Sequence, residues 1–308
     1  MSKAIAVMNQ KGGVGKTTTT VNLGAALSEK SYKVLLIDLD PAGNMTQWLA
    51  GEYSKDQAGL AELLGGKSSF SEIVKSSDML GLDFIPSGNN LGAMTTEINV
   101  SVYLLKDKLE HFSVDYDFIL IDCPPSSDIL IGNALMAAES LIIPIQTETL
   151  PLQAGIRFLD WLEDFTRRNG NSINILGILP CMFDVRTRLS RVILETMKES
   201  RHIGPLVFDT IIRKNVRLAE LSGQEKSIFK SASTSHGAND YADLADEVIE
   251  RAGAGAPIAV RQGIEPLSDE VLDGDSATVD STDGTGEELV YQESGSVDCG
   301  TVEKEEDD

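Results

Sequence analysis

Two lysines five positions apart, with three glycines between them, are the side chains in this sequence best suited to hold an anion. The stretch Lys11-Gly12-Gly13-Val14-Gly15-Lys16-Thr17-Thr18 follows a short apolar run, Ala4–Met8, and leads into Val21–Leu27. Strand, glycine-rich turn and helix in that order aim backbone N–H groups and a helix N-terminus at one point, as a phosphate requires. Gly12, Gly13 and Gly15 let the backbone wrap closely. Lys16 is placed to reach the outer phosphates of a nucleotide, and the Thr17 hydroxyl to face Mg2+.

Two further apolar runs end in carboxylates. Lys33–Asp38 reads as a second buried parallel strand and runs into Asp38-Leu39-Asp40-Pro41-Ala42-Gly43-Asn44. A carboxylate at the carboxyl end of a central strand sits where doubly wound folds bind ligands. Taken alone, Asp40 is also a good turn-forming residue ahead of proline. In Asp117–Pro125, four apolar residues end in Asp122, followed by Cys123-Pro124-Pro125.

The motif Lys-Gly-Gly-Val-Gly-Lys-Thr-Thr resembles the deviant Walker A of the ParA/MinD ATPases, with Lys11 as the signature lysine and Gln10 where the ordinary P-loop has glycine. Asp38–Asn44 resembles the family's switch I, with Ala42 where the family usually has Gln, and Asp122–Pro125 resembles the ParA switch II. The resemblance implies ATP held by Lys11, Gly12, Gly13, Val14, Gly15, Lys16, Thr17 and Thr18, with Thr17, Asp40 and Asp122 on the Mg2+ side. It implies catalytic roles for Lys11, Lys16 and Asp40. Asp40 orients the attacking water, and Lys11 reaches across a sandwich homodimer to the partner's phosphates.

Two basic segments, Asp184–Arg191 and Ile212–Glu220, resemble ParA/Soj stretches whose arginines contact DNA phosphates. On that resemblance Arg186 and Arg217 lead as DNA-binding residues, with Arg188, Arg191 and Lys214 as accessories, and Asn215 is an adenine-contact candidate. The plain alternative is a solvated helix face with salt bridges. Phosphate contacts carry no base information, so the implied partner is non-specific double-stranded DNA, together with a ParB-like centromere-binding protein that triggers hydrolysis.

The elements that must position these residues alternate regularly. Ser140–Gln146 and Ile173–Pro180 read as buried strands, and Leu152–Arg168 as a helix with Phe158, Leu159, Leu162 and Phe165 inward. An amphipathic helix is expected over Val100–Glu110 and another over Gly237–Ala252, with Tyr241, Leu244, Val248 and Ile249 as its stripe. Right-handed crossovers then give an α/β, doubly wound, mainly parallel sheet flanked by helices.

The net charge of −22 is uneven: residues 265–308 carry 16 acidic residues against Lys304, which is −15 and leaves −7 for the rest. The expected organisation is an ATPase domain over 1–255 and an acidic, disordered tail over 256–308, either a solubilising extension or an interacting, autoinhibitory one. Cys123, Cys181 and Cys299 are far apart and odd in number, which points to a reduced protein without a disulfide framework. No run of 18 apolar residues occurs, and the C-terminal helix is acidic where a membrane-seeking one would be basic. A cytoplasmic, nucleoid-associated protein without membrane contact is therefore expected. Other readings are a ParA-like ATPase positioning a protein cargo, a MinD-like membrane-cycling division regulator, and an iron–sulfur ATPase built on Cys123.

Overall fold

Residues covered on both faces have no need of polar alternation, and the inner strands obey this: β2 (Val34–Asp38) and β5 (Phe118–Asp122) are buried throughout. The computed structural model describes residues 2–253 except 51–57, 79, 90, 95–100, 113–114, 127, 148–151, 171, 222–223 and 225. The expected tail lies outside the described residues. The other strands are β1 (Lys3–Val7), β3 (Lys75–Ser77), β4 (Leu82–Ile85), β6 (Ser140–Gln146) and β7 (Asn174–Cys181). They form one seven-stranded sheet in the order β3-β4-β2-β5-β1-β6-β7. Every neighbouring pair is parallel except β3 with β4.

Alternate strand residues feed two cores. Leu35, Ile37, Ile119 and Ile121 point to one, and Val34, Leu36, Phe118 and Leu120 to the other. Helices Leu104–Leu109, Asp128–Ala137 and Leu152–Arg168 cover the first face, bringing Leu105, Leu130 and Leu162 into it. Helices Lys16–Glu29 and His236–Gly253 cover the second with Leu23, Leu27, Tyr241, Leu244 and Val248. Each such side chain, fully buried, contributes about 1.5–3 kcal/mol. The chain leaves β1 toward β2 on one side and crosses from β5 to β6 on the other, so carboxyl ends converge around β1.

Two local expectations change. The helix expected over Val100–Glu110 forms only over Leu104–Leu109. The amide of Asn133 takes both groups that would continue it: Leu105 N donates to Asn133 Oδ1 at 3.0 Å, and Asn133 Nδ2 donates to the Ser101 carbonyl at 3.0 Å. The sheet also gains the unforeseen antiparallel edge β3, three residues long, whose short length limits the unpaired edge it offers to other chains.

Candidate phosphate-binding site

At the end of β1 the chain turns through Gly13 (φ 73°) and Gly15 (φ 98°), left-handed conformations that a side chain would strain. A Cβ at Gly12, Gly13 or Gly15 would meet nothing within 4 Å, so the turn encloses open space. It borders a cavity of about 410 Å³ lined by Lys16, Thr17, Thr18, Asp40 and Trp48 among others. Lys16 is only 7% exposed, and its Nζ donates to the Lys11 carbonyl at 3.3 Å. Burial lowers the pKa of its ammonium, while Asp122 and Asp40 act to raise it. Thr17 Oγ1 donates to Asp122 Oδ2 at 2.7 Å, and the neighbouring Thr20 hydroxyl donates to the Lys16 carbonyl at 3.1 Å.

Asp122 faces a second buried carboxylate that the sequence reading gave no role. Asp38 and Asp122 are register partners at the ends of β2 and β5, both fully buried. Burial pushes the Asp38 carboxyl up to about 7. Burial, then Asp38, drives Asp122 well above the usual carboxylate range. Asp38 accepts from Asp40 N at 3.1 Å, from Thr46 N at 2.7 Å and from Thr46 Oγ1 at 2.6 Å. It thereby sets the turn that carries Asp40. Asp40 lines the cavity and also caps its own turn, with Oδ1 accepting from Ala42 N at 2.9 Å. The turn-forming reading of Asp40 holds, and the same residue borders the cavity. Trp48, in the helix Asn44–Ala50 that follows, donates from Nε1 to the Lys226 carbonyl at 2.9 Å.

Lys11 sits exposed on the rim of the turn, its Nζ donating to Gln146 Oε1 at 2.9 Å. A second, more apolar cavity of about 270 Å³ shares Gly15, Thr18 and Met182 with the first and is also lined by Val14, Asn215 and Tyr241. The Asn215 side chain is partly committed, since its Oδ1 accepts from Arg217 N at 2.9 Å as the cap of helix Val216–Glu220.

The two basic segments, remote in sequence, are brought side by side: Phe183 N donates to the Ile212 carbonyl at 3.1 Å, and Lys214 N to the Phe183 carbonyl at 2.9 Å. Arg186, Arg188, Arg191, Lys214 and Arg217 are all exposed there. Arg186 forks onto Asp184 at 2.9 and 2.8 Å and holds that carboxyl well below its usual range. Arg217 pairs with Glu220 at 3.0 Å. Arg188 and Arg191 show no ion pair among the described residues, so the two arginines ranked first are the two that already carry carboxylate partners. Cys123 packs in one core and Cys181 in the other, with burial pushing both thiols up.

The donor set suits Mg2+, which keeps several waters and takes one or two carboxylates plus phosphate oxygens. Thr17 and Asp122 already touch, and the Asp38–Asp122 corner favours a cation. Among the described residues no group of three His, Cys, Asp or Glu side chains is placed to hold a metal ion. Fold and site together define a P-loop ATPase.

Residues 2–175 match the family model described as an AAA domain. The chain is 38% identical over 251 residues to the sporulation initiation inhibitor protein Soj of Bacillus subtilis, covering 80% of this chain and 98% of that one. It is 39% identical over 249 residues to the chromosome-partitioning ATPase Soj of Thermus thermophilus, covering 81% and 96%. Among solved structures, cobyrinic acid a,c-diamide synthase from Mycobacterium smegmatis with bound ADP and magnesium superposes with a TM-score of 0.69 at 32% identity, covering 83% of this chain and 98% of that one. The chain belongs to the ParA/Soj family of partition ATPases.

Proposed function

We propose that the chain moves DNA by an ATP-gated change of oligomeric state, in the cytoplasm and in association with the nucleoid. Gly12, Gly13, Val14, Gly15 and Thr18 present backbone N–H groups to the phosphates, and Lys16 neutralises the outer ones. Thr17 and Asp122 hold the Mg2+ side, where the ion spreads the charge of the phosphate oxygens. Asp40 orients the attacking water, and Asn215 borders the adenine. Lys11 crosses to the phosphates of a second copy, so that two subunits enclose two nucleotides away from water, where its charge counts most.

Dimerisation doubles the cations available to a duplex, and Arg186, Arg188, Arg191, Lys214 and Arg217 bind its phosphates without reading sequence. A ParB-like centromere-binding partner stimulates hydrolysis and release. Residues 1–255 carry this activity, and 256–308 form a separate acidic tail.

The observation that supports this reading best is the division of labour between two lysines on one turn. Lys16 is buried and lines the cavity, and Lys11 is exposed. Gel filtration with ATP tests it. Lys16→Ala loses nucleotide binding, Lys11→Ala binds nucleotide but stays monomeric, and Asp40→Ala accumulates as a DNA-bound dimer. A Lys11→Ala variant that dimerises like its parent removes the sandwich.

A further inference from the structure

Lys11 is held by its own subunit. Its ammonium donates to Gln146 Oε1 at 2.9 Å, across 135 positions of sequence. The other end of the same amide donates from Nε2 to the Gly13 carbonyl at 2.8 Å and to Met182 Sδ at 3.2 Å. Gln146 is the last residue of β6, in register with Cys181 on β7, so its backbone cannot drift. Met182, immediately after β7, has a left-handed φ of 56° and lines both cavities. One amide therefore touches the phosphate turn twice and the wall of the nucleotide cleft once.

A side-chain amide has one acceptor end and one donor end, and here both are turned toward the phosphate turn. We propose that Gln146 is a positioning residue: a latch that holds Lys11 on its own subunit until the partner's nucleotide draws it across. This rests on the sandwich-dimer reading above. A neutral acceptor suits the task. It accepts from the ammonium in the monomer yet yields to a phosphate, because an anionic acceptor adds Coulomb attraction that a neutral amide oxygen cannot supply. The amide's grip on Gly13 keeps the turn in shape while Lys11 leaves, which separates the movable contact from the fixed one.

The test uses the full-length protein with a non-hydrolysable ATP analogue and Mg2+, both saturating. Sedimentation velocity gives the dimer dissociation constant of wild type, Gln146→Glu and Gln146→Leu, and a fluorescent nucleotide gives the affinity of each monomer. Gln146→Glu grips Lys11 ionically and raises the dimer constant roughly tenfold, an effect that shrinks at high salt. Gln146→Leu removes this hold on Lys11 and lowers the constant roughly threefold. Opposite signs are the mark of a latch. A simple brace of the turn moves both variants the same way, together with their nucleotide affinity. Any pattern other than opposite signs overturns the proposal while leaving the dimer standing. A wild type that stays monomeric with the analogue overturns the dimer and the latch together.

Discussion

Replacing Asp38 by Asn removes one of two buried carboxylates that face each other across β2 and β5. Burial lifts the Asp38 carboxyl from 3.8 to about 7 in the folded protein. A raised folded-state value means that the native state binds more protons than the unfolded chain between those two pH values, so stability falls as pH rises through that window. About three units correspond to about 4 kcal/mol in all, of which about 3 kcal/mol falls between pH 5 and pH 8. The Asn variant has no such titration, and relief of Asp122 works in the same direction. Against this, the amide loses one acceptor oxygen, at a cost of about 1–2 kcal/mol.

The expected result is near parity at pH 5, with Asp38→Asn more stable by about 2–3 kcal/mol at pH 8. Denaturant titrations of the nucleotide-free protein in chelator, followed by emission of Trp48 and Trp161, measure it. Two stability curves that run parallel from pH 5 to pH 8 would refute the electrostatic account of this corner.

Gly177 lies under the Phe208 ring, and a Cβ there would come within 2.2 Å of Phe208 Cε2. Gly177→Ala must displace a ring that also stacks under the Arg251 guanidinium at 4.2 Å, at a cost of about 1–3 kcal/mol. A thermal melt with an unchanged midpoint would contradict this packing. For the basic face, the proposed DNA contact predicts that Arg186→Ala or Arg217→Ala in the ATP-bound dimer each remove up to two phosphate contacts. The slope of log K against log salt then falls by about 1.8, equally for unrelated duplex sequences, as read by fluorescence anisotropy. An unchanged slope would reassign the residue to the solvated surface.

Most of the fold was legible because buried parallel strands announce themselves as unbroken apolar runs, and β2, β5 and β6 lie within one residue of where those runs place them. β3 was not legible: Lys75-Ser76-Ser77 has neither length nor apolar content, and only pairing with β4 makes it a strand. The shortened Leu104–Leu109 helix depended on Asn133, a residue outside its own periodic pattern. In the site, the phosphate turn is local chemistry and reads directly from the chain. Asp38 was passed over because Asp38 and Asp40 stand two apart in sequence, and only the register of β2 with β5 places Asp38 opposite Asp122. Gln146 escaped for a similar reason, since its partners on the phosphate turn lie more than 130 positions away.

Trp48 joins the two halves of the polypeptide in a way that constrains motion. Its indole is tied to the Lys226 carbonyl, 178 positions further on. On the other side of that tie, Ile228 N is bound to Asn22 Oδ1 at 2.9 Å within the helix that begins at Lys16. The turn bearing Asp40 and the helix bearing Thr17 are thus moored to the same short stretch downstream of Arg217. Any displacement of either one must drag that stretch along or cast it off.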